Sequence, residues 1–192
     1  MTLEDAGLPR AIGWVLAVAG LGGTAASFII AVEKFRVLAD PSYVPGCTLD
    51  ARFSCATVMG SWQAELFGFP NPLIGIAGFP VIAFAGLVLA LGGWIPMPLW
   101  WSLEAGALAG AVFVHWLFLQ SVFVIGALCL YCMAVWVCTI FIAYYATLAT
   151  FRGAAAGAGV EEPARGGLHM GWHAAAAALW ASALLAVAVV AV

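Results

Sequence analysis

Four of the five cysteines of the sequence fall where thiols can do redox chemistry. Cys47 and Cys55 lie in a long loop between the first two apolar segments. Cys129 and Cys132 stand as Cys-Leu-Tyr-Cys at the start of the fourth segment. Positions i and i+3 share a helix face and a helix N-terminus favours a thiolate, so this second pair predicts a reactive dithiol. Cys138 lies two turns deeper, and we interpret it as a packing residue.

Five apolar segments must position these cysteines, and each is close to the roughly 20 residues that a helix needs to cross a bilayer. The 192 residues are 66% hydrophobic and 8% charged, which is too apolar for a soluble domain. The sequence therefore predicts an all-α integral membrane protein, with a four-helix transmembrane bundle and a fifth transmembrane helix. The segments are residues 11–32, 72–93, 100–122, 129–150 and 172–192.

The predicted organisation has three parts. Residues 1–150 form the bundle that carries the cysteines, residues 151–171 form a solvated cytoplasmic linker, and residues 172–192 form the fifth helix. The net charge is −3 and the six Lys and Arg form no basic stripe, so nucleic acid is not a predicted partner.

The loop between the first two segments is the longest connection of the bundle, and loops of this length are usually functional. Its stretch over residues 54–66 has the pattern of a short helix, with Ser54 as N-cap and Val58, Trp62 and Leu66 on one face. We expect this helix to lie on the membrane surface as a lid. Because successive helices alternate in direction, the loop and the start of the fourth segment share one side, where all four thiols can meet.

Two structural interpretations of the four thiols stay open. One is a zinc site built from thiolates, although such sites usually use two closely spaced pairs and seven residues separate the loop cysteines. The other is a set of inert buried thiols, which are common in apolar cores.

The pattern of these residues resembles the vitamin K epoxide reductase family, in particular its bacterial members, over residues 11–150. The matching features are the loop pair, Ser61 six residues after Cys55, the Asn71-Pro-Leu-Ile-Gly75 opening of the second segment and the dithiol of the fourth. The resemblance implies a four-helix bundle around a quinone, whether menaquinone, ubiquinone or a vitamin K-type quinone, as electron acceptor. It implies a membrane thiol:quinone oxidoreductase that drives disulfide formation, and opening of a quinone epoxide is chemistry open to the same dithiol.

The resemblance also implies a role for each cysteine. Cys47 is similar to the outer thiol that meets the substrate dithiol, and Cys55 is similar to the inner relay thiol. Cys129 then exchanges with the loop, and Cys132 faces the quinone. Bacterial members often carry a fused thioredoxin-like domain after a fifth helix. The sequence ends at Val192 without one, so we expect a separate thioredoxin-fold protein, periplasmic or otherwise extracytoplasmic, as the redox partner.

Asn71, Trp136 and Ser61 are the candidate quinone-site residues. Asn71 matches a family position that hydrogen-bonds the quinone, but capping of the second helix before Pro72 is an alternative. Trp136, one turn below Cys132, either donates its indole N–H to the quinone or packs in the core. Ser61 either supports the loop cysteines or hydrogen-bonds its own backbone.

Polar residues inside a membrane segment are costly and often functional, and the third segment contains His115, Gln120 and Glu104. A single histidine cannot build a bis-imidazole haem site. Glu104 lies near a helix end, from which we expect it to snorkel outward.

Basic residues do not fix the orientation, because equal numbers would lie on the two sides. Disulfide chemistry belongs in an oxidising compartment, so we place the long loop outside a bacterial inner (cytoplasmic) membrane. A transmembrane conduit for thiol reductant is the competing activity. It needs redox cysteines at both faces, whereas the four candidates gather at one.

Overall fold

The computed structural model of the chain describes residues 10–157 and residue 180, with side chains over residues 10–151 and at residue 180. The regular secondary structure of the described part is helical, apart from one isolated bridge between Phe53 and Leu128. The α-helices are α1 (Arg10–Ala39), α2 (Cys55–Met59), α3 (Pro72–Ala90), α4 (Met97–Gln120) and α5 (Leu130–Gly157). A 3-10 helix (Trp62–Glu65) follows α2, and a π-helical turn (Ser121–Ile125) continues α4.

Four of these helices are long and apolar enough to cross a membrane: α1, α3, α4 with its π-helical turn, and α5. The protein is a multi-pass membrane protein, and the predicted four-helix bundle is confirmed. Two helices run further than the sequence pattern predicted. α1 includes residues 33–39, and α5 includes residues 151–157 of the predicted linker. The rest of that linker and the fifth helix, apart from Trp180, lie outside the described residues.

Small residues let α1 and α3 pack closely. A Cβ added to Gly20 would lie 2.6 Å from the backbone nitrogen of Ala83, and Gly13 and Gly86 meet the opposite helix in the same way. Such close backbone approach is the usual basis of helix association in lipid, where burial of apolar side chains contributes little. α1 also packs on α5, and α5 on α4, whereas the consecutive helices α3 and α4 hardly touch. A gap therefore runs between α3 and α4.

The predicted lid helix is divided into two short pieces. Ser54 caps α2 as expected, because its side chain accepts a hydrogen bond from the backbone N–H of Thr57 at 3.2 Å. The helix stops at Met59, and the Ser61 hydroxyl donates to the Val58 carbonyl at 2.7 Å. Val58 is buried whereas Trp62 is 64% exposed. The prediction of one helix over residues 54–66 with a common face is therefore wrong, because Ser61, directly after Gly60, has extended backbone with a ψ of 152°.

Gly126 ends the π-helical turn and sets the direction of the short connection to α5. Its φ of 70° lies in the left-handed region that favours glycine. Ala127, Leu128 and Cys129 follow in buried positions. The end of α1, the long loop, the start of α3 and the α4–α5 connection thus share one end of the bundle, where all four cysteines lie.

Candidate active site

Cys47 and Cys55 form a disulfide in the long loop, with their Cα atoms 5.8 Å apart, and both residues are buried. A tight turn between them brings the two cysteines together. The Asp50 carboxylate accepts hydrogen bonds from the backbone N–H groups of Arg52 and Phe53, at 2.8 and 2.7 Å. An aspartate that bonds the backbone two and three residues later stabilises such turns.

A short backbone bridge joins this loop to the start of α5. The Leu128 N–H donates to the Arg52 carbonyl at 2.7 Å, and Leu128 is the bridge partner of Phe53. Cys55 comes two residues after Phe53 and Cys129 directly follows Leu128, so the bridge brings the two thiols close together. The Sγ atoms of Cys55 and Cys129 are 3.2 Å apart. Cys129 is therefore in direct contact with the loop disulfide.

Cys129 and Cys132 are free thiols at the entrance of α5. The Cys132 backbone N–H points at the Cys129 sulfur, 3.4 Å away, as an N-cap contact would. Hydrogen bonding from the Cys132 thiol, and from the backbone N–H groups of Cys132 and Tyr131, lowers the pKa of Cys129 against the opposing effect of burial. Cys138 lies deeper on α5, facing Gly22 of α1.

An apolar cavity of about 500 Å³ lies beneath the lid. Residues of all four long helices and of the lid line it, and the gap between α3 and α4 borders it. Cys129 and Cys132 line this cavity, whereas Cys47 and Cys55 do not. The helix pair thus stands between the loop disulfide and an apolar cavity of ligand size.

The model of the vitamin K epoxide reductase family matches residues 14–147 of the chain, which includes all four cysteines. The protein belongs to this family. No curated protein matches the chain significantly. Family membership makes the protein a membrane thiol oxidoreductase with two cysteine pairs and implies a quinone substrate.

Within this family member, Asn71, Ser61 and Trp136 all line the cavity. The Asn71 amide donates to the Gln63 carbonyl at 2.7 Å, and its oxygen accepts from the Leu66 N–H at 3.3 Å. Pro72 begins α3 as predicted, but the Asn71 side chain makes no cap bond, so the capping alternative is wrong. The amide ties the lid to α3 instead.

Ser61 and Trp136 differ in whether their polar hydrogen already has a hydrogen-bond acceptor within the protein. The Ser61 hydroxyl bonds its own backbone at Val58, which was one of its two predicted roles. Trp136 is 3% exposed and stacks on Phe118 with ring centroids 5.0 Å apart. Its indole N–H has no hydrogen-bond partner. A buried donor without a partner is uncommon and is available to a ligand of the cavity.

The polar residues of α4 have structural partners. His115 Nδ1 lies 2.7 Å from the Ala111 carbonyl of its own helix, and Gln120 accepts a hydrogen bond from Gln63 of the lid at 3.2 Å. Glu104 is 5% exposed and accepts a hydrogen bond from the Thr147 hydroxyl at 2.6 Å. The expectation that Glu104 snorkels outward is wrong, because its face of α4 packs against α5.

Two lid contacts were not anticipated from the sequence. Lys34, at the end of α1, is buried, donates to the Met59 carbonyl at 2.6 Å and pairs with Glu65 at 2.7 Å. Gln63, in the 3-10 helix of the lid, is buried and donates a hydrogen bond to the Gln120 side chain of α4. The sequence signal for Lys34 was its position at the end of an apolar helix, where a cation must find a partner or reach water.

Proposed function

We propose that the protein is a thiol:quinone oxidoreductase that oxidises a separate thioredoxin-fold partner and reduces a membrane quinone. The observation that carries this proposal is the 3.2 Å contact between the sulfurs of Cys55 and Cys129. It joins a loop disulfide to a dithiol that borders an apolar cavity, so two electrons can pass from one to the other by thiol–disulfide exchange.

The proposed cycle begins at the loop pair. A partner thiolate attacks the Cys47–Cys55 disulfide at Cys47, and the partner leaves as a disulfide while both loop cysteines become thiols. The Cys55 thiolate then attacks Cys129 of a Cys129–Cys132 disulfide and displaces Cys132. Attack of Cys47 on Cys55 restores the loop disulfide and releases Cys129.

The helix dithiol completes the cycle. Cys129 and Cys132 deliver two electrons and two protons to the quinone, which leaves as quinol, and become a disulfide again. The structure has a loop disulfide and free helix thiols. This combination is the one that the cycle reaches just before quinone reduction. The lowered pKa of Cys129 suits its part as leaving group when Cys47 attacks the mixed disulfide.

The cavity residues fit a quinone. A ring with two carbonyl oxygens needs an apolar space and a few hydrogen-bond donors, and this cavity supplies both. Trp136 has an unused N–H, and the Asn71 amide has a second hydrogen beyond the one given to Gln63. We assign these two residues to the quinone carbonyls and Ser61 to support of the lid above them. Menaquinone, ubiquinone and vitamin K-type quinones all meet this description.

The remaining parts of the proposal concern location and partner. We place the cysteine end of the bundle on the extracytoplasmic side of a bacterial inner membrane, because a stable disulfide belongs in an oxidising compartment. A thioredoxin-fold dithiol in that compartment is the chemistry that Cys47 would meet. Cys47 is buried, so the partner must displace part of the loop to reach it.

The decisive experiment is quinone reduction by the purified protein in detergent with a small dithiol donor or a reduced thioredoxin-fold protein. We expect Cys132→Ala to abolish turnover with both donors, and Cys47→Ala to impair mainly the protein donor. Cys138→Ala is the matched control and should retain activity. Turnover that survives in Cys132→Ala would refute the relay. Bound zinc with no quinone reduction in the wild type would instead support a structural zinc site.

A further inference from the structure

The hydroxyl of Ser27, in the middle of α1, is a buried polar group without a hydrogen-bond partner. The residue is 1% exposed. A serine or threonine inside a helix commonly donates to the carbonyl four residues earlier, as Thr24 does to Gly20 at 2.8 Å. Leaving a buried hydroxyl unpaired is unfavourable, which points to a partner from outside the chain.

The space around Ser27 belongs to the cavity beneath the lid, and Ser27 is one of its lining residues. Across from it lies Gly75 of α3, where an added Cβ would collide with the Ser27 hydroxyl. The hydroxyl therefore points toward α3 and packs against the Gly75 backbone, in the place that a side chain at position 75 would take. Alanine at position 75 would clash with the Ser27 hydroxyl.

The unpaired groups cluster around this cavity. In the part of the chain that the structure describes, three buried side-chain polar atoms lack a partner: Ser27 Oγ, Trp136 Nε1 and Glu104 Oε2. Ser27 and Trp136 both line the cavity, from α1 and α5, whereas Glu104 does not. Each quinone carbonyl oxygen can accept two hydrogen bonds, so Ser27 can act as a further donor beside Trp136 and Asn71.

We propose that Ser27 is a quinone-binding residue whose hydroxyl donates a hydrogen bond to one carbonyl oxygen of the quinone. This inference rests on the proposed function and extends it to a residue of α1. A hydroxyl can both donate and accept a hydrogen bond, so Ser27 can also accept one from the hydroxyl of the quinol. The indole N–H of Trp136 can only donate. Ser27 thus contributes to the affinity for both redox forms.

The test compares Ser27→Ala with Thr24→Ala. Thr24 lies on the same helix but is not one of the residues that line the cavity, and its hydroxyl already donates to the Gly20 carbonyl at 2.8 Å. Binding of a short-tailed benzoquinone is measured without any thiol donor, from the rise in melting temperature with quinone concentration. The steady-state KM and kcat are measured separately. We expect Ser27→Ala to raise the quinone Kd and KM about 10-fold with little change in kcat, and Thr24→Ala to leave Kd and KM unchanged.

Two other outcomes have distinct meanings. A wild-type protein that binds and reduces quinone with the same Kd and KM as Ser27→Ala would overturn the role of Ser27 and leave the proposed function standing. If, in addition, Ser27→Ala without quinone melts at a higher temperature than the wild type, the hydroxyl is a destabilising unpaired group without a role in binding. A wild-type protein that neither binds nor reduces quinone would overturn both proposals.

Discussion

The two cysteine pairs differ in what holds them in place. Cys129 and Cys132 are three residues apart at a helix entrance, where local helix geometry brings them together. Cys47 and Cys55 lie in a loop whose position depends on distant contacts, such as the bridge from Phe53 to Leu128. The helix pair is thus set by nearby sequence and the loop pair by the tertiary structure. This contrast suits a relay in which one pair must move to meet a partner while the other stays at the cavity.

The strongest test of this contrast leaves one cysteine from each pair. The double variant Cys47→Ser/Cys132→Ser keeps Cys55 and Cys129, whose sulfurs are 3.2 Å apart, and we expect diamide to convert them almost completely into a disulfide. The matched variant Cys55→Ser/Cys129→Ser keeps Cys47 and Cys132 and should form little.

Both variants carry Cys138→Ala, and the disulfides are identified by mass spectrometry of non-reduced peptides. Equal yields in the two variants would show that the loop is too mobile for the relay contact to be specific.

Lys34 tests how far the loop pair depends on the lid. Lys34→Met removes the hydrogen bond to Met59 and the ion pair with Glu65, so α2 and the 3-10 helix lose their tie to α1. We expect amide hydrogen exchange over residues 55–65 to speed up about 10-fold, while the start of α5 keeps its protection.

Arg36→Met is the control for Lys34→Met. Its ion pair with Glu33 is exposed at Arg36 and spans 3.3 Å, so its loss should change exchange by less than about 2-fold. Faster exchange at the start of α5 in Lys34→Met would contradict the independence of the helix pair.

The pH dependence of Cys129 tests the local geometry of the helix pair. The Cys132 thiol is the largest cause that lowers the pKa of Cys129, so the Cys129 thiolate persists to a lower pH than an ordinary cysteine thiolate. In Cys132→Ala this donor is gone, and the titration of Cys129 should move to higher pH.

Thiolate absorbance near 240 nm reports this titration in protein with an intact loop disulfide and Cys138→Ala. Tyr131→Phe keeps its backbone N–H and serves as control. The assignment fails if Cys132→Ala and the Cys138→Ala parent titrate at the same pH.

The smallest effect is expected at Cys138, which belongs to neither pair. It lies on α5 facing Gly22, and its substitution by alanine removes one sulfur from the contact between α1 and α5. We expect a loss of about 1 kcal/mol or less in stability and unchanged quinone reduction. Melting temperature and steady-state turnover check this. A large loss of turnover without loss of stability would place a third thiol in the electron path.

The sequence by itself determined the membrane bundle and the positions of the cysteines. Long apolar runs admit few structures other than transmembrane helices, because backbone groups in lipid must bond within their own segment. The spacing of Cys129 and Cys132 at a helix start fixed their proximity, and Ser54 capped α2 as its residue type favours. These features depend on residues close together in the chain.

The tertiary structure decided the features that depend on residues far apart in the chain. The lid helix is interrupted at Ser61, the Asn71 side chain bonds the lid and does not cap α3, and Glu104 turns inward to Thr147. Local sequence patterns cannot predict these hydrogen bonds. Their donors and acceptors are far apart in the chain, and only tertiary packing brings them within about 3 Å of each other. For the same reason, Ser27 looked like an ordinary helix residue until the structure placed its unpaired hydroxyl beside the cavity.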